Sequence, residues 1–150
     1  MADLTLSPVA PRALEAARLY SDAQRGRLLA AIIGLLRGRS SRLCDLRAVA
    51  GRVVGQRDLG LQTAPLAAIR GSEAPTRDFD AAFRPRGAHD RERWLRVARA
   101  RLDERPLPVV DLIRAGEIYY VRDGRHRISV ARALGQREIE ARVTVWDLAP

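Results

Sequence analysis

Asp123-Gly124-Arg125-His126-Arg127 follows the apolar stretch Ile118–Val121 and stands where a helix would begin. The first turn of a helix leaves backbone N–H groups unpaired and carries the positive end of the helix dipole, so anions are stabilised there. Two guanidinium groups and an imidazole added at that point make a phosphate grip. Arg127 is read as a phosphate ligand, against the alternative of an ion pair with Glu138 or Glu140. Arg125 either joins the phosphate or faces solvent. His126 either donates to a phosphate or packs the turn, and it is one of two candidates for catalysis. Asp123 caps the helix or holds Mg²⁺ together with substrate phosphates. Ser129 and Arg132, four and seven residues after Arg125, share its helical face, which either extends a basic surface or, more plainly, is solvated.

Composition bounds what such a grip could serve. The 150 residues are 47% apolar and carry a formal net charge of +9, from 27 arginines and no lysine against 18 acids. That basic balance favours nucleic acid, acidic lipid or a phosphorylated small molecule as partner. The charge excess is largest over residues 1–60, with 10 arginines against 5 acids. The single cysteine, Cys44, excludes an internal disulfide and any cysteine-cluster metal site. No basic leader segment opens the chain, and the apolar run Leu28–Leu36 falls far short of the ~20 residues of a membrane span. A soluble cytoplasmic protein without a membrane partner is expected.

The elements that must position the grip follow from spacing. Pro11 to Tyr20 reads as one helix; Ser21 with Gln24 has capping-box spacing for a second, ended by Gly38. Ser40 or Ser41 starts a third helix carrying Leu43, Leu46, Val49, Ala50 and Val53, with Cys44 inside its apolar pattern. These basic helices over residues 11–57 form either a helix-turn-helix that reads DNA or a plain helical hairpin. Leu61–Leu66 reads as a short edge strand, because Pro65 cannot donate to an inner ladder. Gly71–Gly87 is a long loop holding Phe79 and Phe83, His89–Leu102 a helix packed through Trp94, Leu95, Val97, Ala98 and Leu102. Val109–Ile113 and Ile118–Val121 form a hairpin across Ala115-Gly116. The helix from Arg125 stops at Gly135, and Ile139–Val145 closes the sheet. Domain organisation is read as a helical segment, 1–59, before a domain of 60–150. The fold class is α/β (α+β): a small mixed sheet with packed helices.

From Gln62 onward a pattern accumulates: Pro65-Leu66-x-x-Ile69, Gly71-Ser72-Glu73, Arg77-Asp78-Phe79-Asp80, Leu107-Pro108-x-Val110, the Asp-Gly-Arg-His-Arg block, and Ala133-Leu134-Gly135 with Ile139, Ala141 and Val143. This resembles the ParB N-terminal/sulfiredoxin-like superfamily, in particular small stand-alone ParB-like proteins of bacteria, over residues 60–147. The resemblance implies a corner that binds nucleotide phosphates: CTP in chromosome-partitioning ParB proteins, ATP in sulfiredoxins, ADP in a free-serine kinase. It implies that Gly124 lets the backbone approach the phosphates, that Arg127 matches the family's terminal arginine and that His126 matches the sulfiredoxin-like histidine. Sulfiredoxin chemistry needs a cysteine where Arg125 stands, so sulfinic reductase activity is not expected. The downstream DNA-binding and dimerisation regions of ParB proteins are not among residues 60–150, although a dimer remains open.

In this superfamily the loop holding Glu73, Arg77 and Asp78 closes over the nucleotide, and a nearby glutamate is the base of the serine kinase. Glu73 is accordingly the second catalytic candidate and Arg77 a further phosphate contact. Three functional readings follow. The first is a regulatory nucleotide-binding module, DNA-associated or not. The others are a small-molecule phosphotransferase and a DNA-binding protein acting through residues 11–57.

Overall fold

The computed structural model describes residues 9–38 and 42–150. Among them the fold is mixed α/β: six strands in one sheet and four α-helices. Helix α1 (Val9–Leu36) is followed by strand β1 (Cys44–Asp45), the one-turn helix α2 (Leu46–Val49), β2 (Val53–Pro65) and β3 (Ile69–Ser72). Then come α3 (Arg91–Leu102), β4 (Val110–Ala115), β5 (Ile118–Asp123), α4 (Arg125–Ala133) and β6 (Glu138–Leu148). The sheet order is β1-β3-β5-β4-β6-β2. Strands β1, β3 and β5 run parallel, as do β4 and β6, while the β4–β5 hairpin and the β6–β2 pair are antiparallel.

Alternation along the strands produces two faces. Val110, Leu112, Val121, Ala141 and Val143 point to one face and are buried with Ile128 of α4. Ile113 and Tyr120 point to the other, where Leu46 of α2 covers them. A second cluster joins helix to helix: Ala16 and Tyr20 of α1 against Trp94 and Ala98 of α3. The Tyr20 and Trp94 rings meet edge-on, with centroids 5.3 Å apart.

The N-terminal region differs from the sequence expectation. Residues 9–36 form one helix rather than two, because the Ser21 hydroxyl donates to the Ala17 carbonyl instead of capping a new start. Gln24 is turned onto the domain, donating to the Pro85 carbonyl at 2.8 Å. Gly38 (φ +62°) follows the helix end as expected. The starts proposed at Ser40 and Ser41 lie outside the described residues. Beyond them, Cys44 lies in a strand and not in a helix, since the edge of β3 offers it a ladder. Asp45 then caps a single turn through the Arg47 amide. The described residues therefore hold no helix-turn-helix within 11–57. The sheet also crosses position 59, because β2 pairs with β6 from Val53 to Pro65.

Strand β2 is an edge strand as expected, but it is 13 residues long, with irregular register around Gly55 and Gly60. The inner position next to it is taken by β6, so the last strand does not form the rim. The loop after β3 is packed down. Phe79 and Phe83 are buried, and the Asp80 carboxylate accepts from the Ala82 and Arg84 amides at 2.9 and 2.8 Å.

The face of α4 read as solvated is in fact inward. Ser129 is buried and accepts from Trp94 Nε1 at 2.8 Å. Arg132 donates to the Leu66 and Ile69 carbonyls at 2.6 and 2.7 Å and lies over the Phe83 ring. It ties α4 to the β2–β3 connection. Replacing Ser129 with Ala leaves a buried indole N–H without an acceptor. The expected loss is ~1–3 kcal/mol, read as a lower urea midpoint with an unchanged slope.

Candidate functional site at the start of α4

Gly124 makes the turn from β5 into α4 in a single residue, at φ +103°. A Cβ there would lie 2.5 Å from Val110 Cγ1, so both conformation and space require glycine. Among the described residues no side chain caps α4. Its first amides are therefore unpaired within the helix, and residues Gly124 to Arg127 line a cavity of about 300 Å³. Arg93, Arg125, His126 and Arg127 line that cavity together with Asp78, Asp90 and Asp123.

Of the residues singled out by sequence, Asp123, Gly124, Arg125, His126 and Arg127 gather here. Their roles differ. Asp123 is not the helix cap: its carboxylate pairs with Arg127, one helical turn away. Arg127 is engaged further, donating to the Pro108 and Val109 carbonyls at 2.6 and 2.7 Å. Its expected alternative partners, Glu138 and Glu140, are not the ones it meets. The guanidinium instead clamps the segment entering β4 onto the corner. Arg125 donates to the Ser72 hydroxyl at 3.0 Å, which anchors it at the end of β3 while it still lines the cavity.

His126 is largely buried, packed edge-on against Phe79 with centroids 5.0 Å apart. Its Nε2 lies 3.6 Å from an Asp90 oxygen and makes no hydrogen bond among the described residues. Burial first, then the positive charge of Arg93, holds the imidazole below its usual pKa; Asp90 and Asp78 oppose that shift.

Two expected residues stand apart. Glu73 has both carboxylate oxygens occupied, by Arg122 Nε at 3.0 Å and Arg47 at 3.4 Å, and it is absent from the cavity lining. Arg77 is exposed and also outside that lining. Sequence reasoning missed Arg93 and Asp90, more than 30 residues upstream of the corner. Only the packing of α3 on α4 brings them there. Asp90 precedes α3 without capping it, and its carboxylate is turned toward His89 (3.2 Å) and His126. His89 also meets Asp78, at 3.1 Å. Asp78, His89 and Asp90 thus present three ligand atoms within 4.8 Å of one another, a spacing that suits a divalent cation.

The arrangement offers guanidinium groups to an anion and carboxylates to a cation around a single cavity. Comparison with known protein families, with curated proteins and with solved structures finds no match to this chain.

Arg127→Ala removes charge-assisted bonds to two carbonyls and leaves Asp123 unpaired, with an expected cost of ~1.5–3 kcal/mol in urea unfolding. His126 supplies a pH signature. The unfolded imidazole takes up its proton near pH 6.5 and the folded one resists. The unfolded state therefore binds more protons, and stability falls as pH drops below about 6.5. His126→Gln is expected to flatten the decline in melting temperature between pH 7 and pH 5, measured against the parent protein.

Proposed function

We propose that the corner at Gly124 binds the phosphates of a nucleotide, with Mg²⁺ as companion, in a ParB-like regulatory module. The observation that carries this reading is the uncapped start of α4 beside a cavity lined also by Arg93 and Arg125. The uncapped helix start, with the positive end of its dipole, and guanidinium groups adjoin a space large enough for a small ligand. Asp78 and Asp90, which line the same cavity, are the carboxylates through which Mg²⁺ would reach the phosphates. With Arg127 committed to Asp123 and the Pro108 and Val109 carbonyls, the phosphate-contacting cations in this reading are Arg125 and Arg93. His126 supplies a neutral imidazole that contact with phosphate would draw toward its charged form.

The phosphotransferase reading is less well supported, since Glu73 is held between two arginines away from the cavity. DNA binding through residues 11–57 loses the helical hairpin on which it rested.

Melting curves with each nucleoside triphosphate and with ADP, with and without Mg²⁺, are expected to identify a ligand that stabilises the protein. Titration calorimetry with that ligand should then show affinity reduced roughly 10–100-fold in Arg125→Ala, the equivalent of a lost charge-assisted hydrogen bond. Arg77→Ala should leave it unchanged. A protein that no nucleotide or inorganic phosphate stabilises, or an Arg125→Ala variant that binds as tightly as the parent, would refute the reading.

A further inference from the structure

Helix α1 is held against the domain as far as Gly26, where an added Cβ would lie 3.3 Å from Arg84 Nε. Beyond that point its large side chains face solvent. Leu28, Leu29, Ile32, Ile33, Leu35 and Leu36 are each between 46 and 85% exposed. At 3.6 residues per turn these six fall within an arc of about 160°. No polar side chain interrupts Leu28–Leu36. Aliphatic surface this continuous marks a site of contact with a partner or a membrane.

Charge at the two ends of the stripe indicates which. Arg25 and Arg27 precede it, Arg37 and Arg39 follow it, and the sequence from position 23 to position 41 holds no acid. Asp22, 3.5 Å from Arg25 with both side chains exposed, offsets one of these four charges. Arg27 is steadied by its Nε, which donates to the Gln24 side-chain oxygen at 3.2 Å. An apolar arc with arginine at either end suits a helix lying in the interface of an anionic bilayer. Aliphatic side chains enter the acyl boundary there, and the long arginine stems leave the guanidinium groups among headgroup phosphates. Other occupants meet only half of this pattern. A second copy would cover the aliphatic arc but set arginines against arginines on a chain of net charge +9. Nucleic acid would neutralise the arginines and leave the arc in water.

We propose that the Leu28–Leu36 face of α1 docks on an anionic phospholipid surface, with the flanking arginines against the headgroup phosphates. Nine helical residues extend about 14 Å, less than half of the ~30 Å hydrocarbon layer, so the contact is with one leaflet. Among the described residues no helix is long and apolar enough to cross a membrane. The expectation of no membrane partner rested on spanning length, which docking does not require. The assignment is independent of the corner reading, because the stripe lies on another element and none of its residues lines that cavity.

The full chain is expected to pellet with vesicles of phosphatidylcholine containing about one-third phosphatidylserine, and not with phosphatidylcholine alone. Leu29→Gln/Ile32→Gln keeps the charge, and Arg25→Gln/Arg37→Gln keeps the aliphatic arc. Each should weaken binding roughly tenfold or more and retain the parent's circular dichroism spectrum, since all four side chains are exposed. In the unmodified chain, the anionic vesicles should slow hydrogen exchange at the amides of residues 28–36. A parent protein that stays in the supernatant, or that binds both kinds of vesicle alike, overturns the proposal. So does either variant, folded, that pellets as well as the parent, or vesicle binding that protects other segments and leaves 28–36 unchanged. A lipid-free dimer already protected over 28–36 overturns it in favour of a second copy. The exchange measurement decides the matter even if the variants fail to fold.

Discussion

The corner of this fold depends on how tightly β4, β5 and α4 are drawn together at Gly124. Val110 fills the space where any other residue at 124 would place its Cβ, so the chain can enter α4 only through a left-handed glycine. That closeness lets Arg127 reach from the first turn of α4 to the Pro108 and Val109 carbonyls and to Asp123. Once α4 is fixed at that angle, its buried residues Ile128 and Ala131 meet the sheet while Ser129 and Val130 meet α3. The cavity is what remains between the start of α4 and the start of α3. Its shape is thus a by-product of helix docking, and the chemistry of its walls is set by which side chains the docking leaves without a full set of partners.

Arginine carries much of that docking. Arg127 and Arg132 lie at the two ends of α4, each donating to main-chain carbonyls of a neighbouring connection. A planar guanidinium can serve two or three acceptors at once, where an ammonium would act as a single point. In a chain with no lysine, positively charged residues are therefore also the joints between layers.

The sheet elements could be read from sequence because their signals are local. The β4–β5 hairpin, the Gly135 stop after α4 and the packing residues of α3 each follow from a few adjacent residues. The N-terminal region could not be read in this way. Ser21 and Gln24 have capping-box spacing, yet the helix runs through them because Tyr20 and Gln24 find partners on the loop ending at Gly87. Cys44 sits in a helix-like apolar pattern, but the open edge of β3 and the Tyr120 ring decide its place. At the corner the same division holds. The run Asp123–Arg127 was visible in sequence, whereas its partners Arg93 and Asp90 came from another helix and the occupation of Arg127 from carbonyls, which every residue possesses and no sequence pattern marks.

The clamp made by Arg127 and the tie made by Arg132 share a property that ordinary ion pairs lack. A peptide carbonyl has no proton to gain in mild acid and carries no net charge for dissolved ions to screen. Guanidinium likewise keeps its proton throughout the biological range. Acid and salt, the two agents that loosen carboxylate pairs, therefore leave the principal fastenings of α4 in place.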